Sequence, residues 1–306
     1  MIIIARRYGQ LGNRLKLAAH LMAAAHEYGI GFAHPTFAQY AHFFKGTAHN
    51  LWCRFPTRET PRYFSMYWQR RLLESFMPRM ENIFWQIRLR TYPFQIYRLP
   101  EGETCDLSGE EFKTMVQSRR VTLVSGWGYR SDALLHKHSD AIRRHFRPID
   151  THQKHVELLT AKLRKESDLV VGIHIRHGDF ASWGDGKYFY SMKEYANAMR
   201  EVKNQFSNQK IAFLVCTNGE FTRSDFKDLR VHLGTGHLVE DMYSLAQTDF
   251  IIGSPRSTFS QWSSFYGQKP LVEMTPADLP TDLSSVKHLM VQANKDRDPT
   301  QAKLFD

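Results

Sequence analysis

Cysteine is scarce in this chain of 306 residues, with Cys53, Cys105 and Cys216 as the whole complement. An odd number spread over so long a chain excludes a disulfide framework and fits a reducing compartment. Long apolar runs are missing too, none approaching the ~20 residues of a membrane-crossing helix. The opening Met1-Ile2-Ile3-Ile4 meets Arg6 and Arg7 too early for a secretory signal. These absences predict a cytoplasmic protein. The chain also lacks a Walker phosphate loop, a full dinucleotide fingerprint and a Gly-x-Ser-x-Gly nucleophile elbow. The helical His-Glu-x-x-His metal pattern is absent. The close pairs His136/His138, His152/His155 and His174/His177 therefore read as scattered surface or core histidines, and no metal site is expected.

Acidic residues are in deficit, leaving a net charge of +10 and a pI near 9.5. Between residues 51 and 100 every basic residue is an arginine: Arg54, Arg58, Arg62, Arg70, Arg71, Arg79, Arg88, Arg90 and Arg98. Only Glu59, Glu74 and Glu81 oppose them. Such a surface suits anionic lipid headgroups, charged glycans or other polyanions, and a solvated face accounts for it equally well. What is plentiful is apolar: 42% of residues are hydrophobic, enough for real cores. The length suits two domains.

Ile2-Ile3-Ile4-Ala5 reads as a buried strand. It is followed by a turn at Gly9 to Asn13, a helix from Arg14 to about Tyr28, and a second strand at Ile30 to Ala33. Residues 36–100 carry many aromatics without strand alternation, which predicts helix around 65–76 and irregular loops elsewhere. Val121 to Ser125 reads as a strand and 131–145 as a helix. From His152 the pattern becomes regular. A helix to Lys165 leads into the strand Leu169–Ile175, then a helix near 191–206 and the strand Ile211–Val215. Leu238-Val239 precede a helix at about 241–247, followed by the strand Phe250–Ile252, a helix opened by Ser254 to Thr258, and the strand Pro270–Glu273. Strands alternating with helices imply a parallel, doubly wound sheet. The expected domains are 1–150 and 151–306.

In such sheets ligands bind at the carboxyl ends of strands, and three places there carry candidate chemistry. After Leu169–Ile175, His174 and Arg176 project to one side and the chain turns at Gly178. An arginine there can hold a leaving phosphate, and Asp179 can orient it or accept a proton. After Phe250–Ile252, the segment Gly253 to Ser260 enters a helix whose amides, with the hydroxyls of Ser257, Thr258 and Ser260, form a phosphate cradle. In the first domain, Gly9-Gln10-Leu11-Gly12-Asn13 lets backbone approach a ligand, and Asn13 can bond a sugar or phosphate oxygen. Glu240 and Asp241 are further candidates for meeting the sugar or nucleoside. Each segment alone is also an ordinary turn, loop tie or helix cap.

In this order the segments resemble the fucosyltransferase superfamily, in particular the bacterial α-1,2-fucosyltransferases of glycosyltransferase family 11. That family opens with Gly-Gly-Leu-Gly-Asn-Gln, here Gly9 to Arg14. It carries His-x-Arg-Arg-Gly-Asp-Tyr, here His174 to Phe180. It also has Ile-Ile-x-x-Ser-x-Phe-Ser-x-Trp, here Ile251-Ile252 through Thr258-Phe259-Ser260-Gln261-Trp262. The resemblance covers the first 30 residues and about 170–275.

It implies an α/β, GT-B-like fold of two Rossmann-type doubly wound domains facing a cleft. The first would be the acceptor side and the second would hold the nucleotide sugar, with the last residues packing back on the first. It further implies an inverting transfer of fucose from GDP-fucose to a glycan hydroxyl, without a required metal. Arg176 would bind the donor β-phosphate, and Ser257, Thr258 and Phe259 would close on the phosphates. Gly12 and Asn13 would approach from the first domain. The chain departs from the family at Cys216-Thr217-Asn218, where Ser-Asp-Asp is usual, and at Gln10 and Arg14. Thr217 and Asn218 remain donor-side candidates. The alternatives are a transferase for another nucleotide sugar, or a non-catalytic protein binding a polyanion or, peripherally, an anionic membrane. Nucleic acid is not an expected partner.

Overall fold

The structure is a computed structural model. It describes residues 1–58, 66–88, 93–117, 120–221, 223–275 and 286, leaving aside the side chains of 179, 180, 183 and 184. The chain divides into two compact units, Met1–Asp150 and a second beginning at Thr151.

The first unit runs β1 (Ile2–Ile4), α1 (Leu11–Glu27), β2 (Phe32–Ala33), α2 (Lys45–Ala48), β3 (Arg54–Phe55) and α3 (Met66–Gln86). It continues with β4 (Phe94–Arg98), β5 (Cys105–Asp106), α4 (Glu110–Gln117), β6 (Val121–Ser125), β7 (Tyr129–Arg130), α5 (Asp132–Lys137) and α6 (Ser139–His145). Its main sheet has the order β3-β2-β1-β6-β4. All pairs are parallel except β2 with β3. The all-buried Ile2-Ile3-Ile4 lies at its centre, as a continuous apolar run in a parallel sheet should.

Three expectations change in this unit. Helix α1 starts at Leu11, three residues before Arg14, because Gln10 already has the extended backbone of an N-cap. The expected helix at 131–145 is broken at His138 into α5 and α6. In the 36–100 region α3 continues to Gln86 past an internal Pro78, and β4 is a strand where loop was expected. All five β4 residues are half-buried, so its sequence shows no inside–outside alternation to read.

The second unit follows α7 (Asp150–Glu166) with β8 (Leu169–Ile175), α8 (Met192–Gln205), β9 (Ile211–Thr217), β10 (Val231–Leu233), α9 (Leu238–Leu245), β11 (Phe250–Gly253), α10 (Thr258–Gly267) and β12 (Leu271–Glu273). Its sheet is wholly parallel in the order β10-β9-β8-β11-β12. Successive side chains of β9 alternate between two cores. Phe213 and Val215 join Ile173, Ile252 and, from α8, Tyr195, Met199 and Val202. Ala212 and Leu214 join Val170, Ile251, Leu163 of α7 and Leu245 of α9. Helices thus cover both faces, as a doubly wound sheet requires.

Here Leu238-Val239 open helix α9 rather than precede it, because His237 caps them: its ring accepts the Glu240 backbone N–H at 3.4 Å. The edge strand β10 was missed; its three residues are half-buried or exposed. The expectation that the last residues pack back on the first domain lies outside the described residues.

Candidate functional site

Counting the second unit's strands in chain order, the first is central, with the second and third on one side and the fourth and fifth on the other. The order therefore reverses between β8 and β11, and in open α/β sheets the ligand crevice opens at the carboxyl ends of that pair. Both candidate segments of this unit start there. Gly253 at the end of β11 is in register with His174 of β8. The sequence placed the two motifs at strand ends; the topology makes them neighbours.

Their side chains are interlocked. Ser254 Oγ accepts the Arg176 backbone N–H at 3.1 Å and shares a 2.7 Å hydrogen bond with the hydroxyl of buried Tyr195. His174 is buried, with Nδ1 2.7 Å from Ser260 Oγ and 3.5 Å from Ser257 Oγ. Its ring stacks on Phe259 at 4.5 Å. Burial, aided by the nearby Arg176 charge, pushes the His174 imidazole down to about 3. It is therefore neutral at physiological pH, a fixed positioner of the two serines rather than a proton carrier. Gly253 is required by this packing, since a Cβ there would lie 2.4 Å from Ser260 Oγ.

A third strand end joins them. Asn218 Oδ1, after β9, accepts the His177 backbone N–H at 2.9 Å. A Cβ at Gly178 would lie 2.6 Å from the Asn218 amide nitrogen. Thr217 Oγ1 accepts the Gly219 N–H at 3.0 Å, tightening the same turn. The segments after β8, β9 and β11 thus form one bonded rim beneath half-buried Arg176. At the rim α10 begins, and its N-cap Ser257 makes no side-chain capping bond. Thr258 and Phe259 are half-buried in its first turn. An arginine beside a helix N-terminus is a place for a di-anionic group. The side chain of Asp179 lies outside those described.

Sequence reasoning missed three contributors. Ser254 and Tyr195 support Arg176 from beneath, and only the strand-end position of Ser254 could have signalled it. Arg256, exposed and held at φ +58° in the loop after β11, sets its guanidinium 5.6 Å from the Tyr188 ring. A left-handed backbone at a non-glycine residue is a marker of functional loops.

Glu240 and Asp241 are engaged elsewhere. Glu240 is buried, accepting from His152 at 2.9 Å and His155 at 2.7 Å. Burial alone would raise its carboxyl, but those bonds overcome it and hold it at about 2. Asp241, raised by burial, accepts the Thr235 N–H at 2.7 Å and pins the loop before α9. Half-buried His152 and exposed His155 thus meet at one carboxylate. With His237, Glu240 and His152 present ligand atoms all within 4.8 Å of one another, a spacing that could hold a metal ion.

In the first unit, Gly9 is the turn residue of its motif, with φ +56° and a side-chain position filled by Asn13. Gln10 is exposed, whereas Leu11 and Gly12 are buried in α1. Buried Arg14 braces the turn, donating to the Gly9 carbonyl at 3.2 Å and the Thr36 carbonyl at 3.1 Å. The Tyr8 hydroxyl accepts the Gly126 N–H, joining the loops after β1 and β6.

No protein-family model and no curated protein matches the chain. Solved structures do. An Arabidopsis thaliana FUT1 variant in complex with GDP matches over 93% of this chain and 73% of its own, at 13% identity and a TM-score of 0.56. Fucosyltransferase NodZ from Bradyrhizobium matches over 91% and 96% of the two chains, at 16% identity and 0.53. POFUT1 in complex with GDP matches over 90% and 99%, at 11% identity and 0.52. At such identities the likeness is one of fold: the chain shares a GT-B-like α/β fold, built of two Rossmann-type units, with these fucosyltransferases.

Proposed function

We propose that this protein is a glycosyltransferase that moves fucose from GDP-fucose to a glycan hydroxyl, with inversion at the sugar's C1 and without a required metal. The carrying observation is that the strand-order reversal brings Arg176, Ser254 and the N-terminus of α10 together at one crevice edge. The likeness in fold to solved fucosyltransferases supports the same reading.

Breaking the C1–O bond leaves negative charge on the diphosphate. Arg176 and the first-turn amides of α10 stabilise that charge as it grows, and because both are fixed beforehand they need no reorganisation. Half-buried Thr258 offers its hydroxyl to the phosphates, while neutral His174 and Phe259 hold buried Ser257 and Ser260 in place beneath it. Thr217 and Asn218 shape the crevice floor, and Asp179 orients Arg176 or takes the acceptor proton. The first unit takes the acceptor.

A thermal-shift panel of GDP, UDP, CDP and dTDP tests the nucleotide, because a ligand bound only by the folded state raises the melting point. Stabilisation by GDP alone is expected, and stabilisation by UDP alone would assign another donor. Arg176→Lys should lower turnover about a hundredfold, as loss of one such donor costs roughly 3 kcal/mol of barrier. Near-normal transfer by that variant would remove Arg176 from the mechanism, since lysine lacks the planar fork.

A further inference from the structure

Helix α3 is built inside out. Its buried positions are Arg70, Glu74, Met77 and Glu81, three of the four charged. Its outward positions include Trp68, Leu72, Phe76 and Ile83, each more than half exposed. Steps of four, four and seven residues keep these four on one stripe.

The inner face is fastened by polar contacts. Glu81, with no exposed side-chain surface, takes Arg98 at 2.6 Å and Arg6 at 2.9 Å. Glu74 takes Arg71 at 2.8 Å and Arg14 at 3.4 Å. Arg70 donates to the carbonyls of Thr47, Ala48 and Asn50. These pairs fix the helix rotation, so it cannot roll its apolar stripe into the unit without unpairing buried charge.

Among the described residues of α3, the outward charge has one sign. Glu74 and Glu81 are the helix's only carboxylates and both point inward, while Arg71, Arg79 and Arg88 are exposed. A helix of 21 residues is about 32 Å long. One with an apolar stripe, flanking cations and an exposed tryptophan fits the headgroup layer, lying in its plane. We propose that the outward face of α3 docks this protein on an anionic bilayer surface. The proposal is independent of the transferase reading.

The test is co-sedimentation of the full chain with phosphatidylcholine vesicles, with and without phosphatidylglycerol. Binding is expected with the anionic lipid and should weaken as salt is added. Leu72→Ser with Phe76→Ser should lower partitioning at least about tenfold, and Arg71→Gln with Arg79→Gln should lower it several-fold on anionic vesicles only. Unchanged circular dichroism and unchanged stabilisation by GDP would show that these variants keep the fold. Loss of GDP stabilisation in the wild type would strike the transferase reading and leave this one standing. Absence of vesicle binding by the wild type overturns the proposal. So does a wild-type dimer that the apolar double variant makes monomeric without vesicle binding, which would assign the stripe to contacts between copies.

Discussion

Lowering the pH should destabilise this protein well before its carboxylates protonate, because four histidines are buried in the neutral form. Burial pushes His20 down to about 4, His34 to about 3 and His145 to about 4 in the first unit, and His174 to about 3 in the second. The Arg130, Arg14 and Arg176 charges add to the effect on His20, His34 and His174 respectively. His34 Nδ1 and His145 Nε2 have no hydrogen-bond partner among the described residues, so no acceptor compensates a proton there.

The unfolded chain protonates each ring near the ordinary 6.5. Below that pH the unfolded state binds more protons, and stability falls as pH falls. At about pH 5.5 each histidine has cost about 1.4 kcal/mol, one decade of protonation. The four together cost roughly 5–6 kcal/mol, comparable with the whole stability of a marginal domain. Three of the four belong to the first unit, so most of the loss falls there. Urea unfolding followed by circular dichroism at neutral pH and at about pH 5.5 measures it. Stability that stays flat within about 1 kcal/mol over that interval would refute the reasoning. So would imidazole resonances of these four residues that titrate near 6.5 in the native protein.

Other consequences are narrower. Gly253→Ala should abolish stabilisation by GDP while preserving the circular dichroism spectrum, because the new Cβ displaces Ser260 from His174. Glu240, held down at about 2, contributes stability above its ordinary 4.5 that is lost as pH falls from there towards 2. Glu240→Gln should flatten that acid limb and leave the histidine-driven loss nearer neutrality unchanged, as read by the same urea titrations. If His152, His237 and Glu240 take up a metal, zinc should raise the melting point of the wild type and not of His152→Ala.

The second unit was legible because each core strand is a continuous apolar run between amphipathic helices. The pattern of Leu169–Ile175, Ile211–Val215 and Phe250–Ile252 needs no tertiary information. Pattern could not supply strand order. Arg176 and Ser254 are 78 residues apart, and their hydrogen bond follows only from β8 pairing with β11. The partners of Glu240 were hidden for a related reason. An acidic residue in the first turn of a helix usually faces solvent or ligand, but α7 happens to bring His152 and His155 onto it. In the first unit, β4 and the short strands offer two to five residues without alternation, too little for any period to show.

The arginines of residues 51–100 show why composition is a poor guide to a surface. Arg70 is spent on backbone carbonyls, Arg98 on Glu81 and the Trp85 ring, and Arg54 lies over the Trp52 ring. Among the described residues of the stretch, Arg58, Arg71, Arg79 and Arg88 are exposed. Of these, Arg71 also pairs with buried Glu74. Arg71 and Arg79, however, share helix α3 with the exposed Trp68, Leu72 and Phe76. A bilayer surface uses both contributions at once, so a few charges suffice where the side chains between them can leave water.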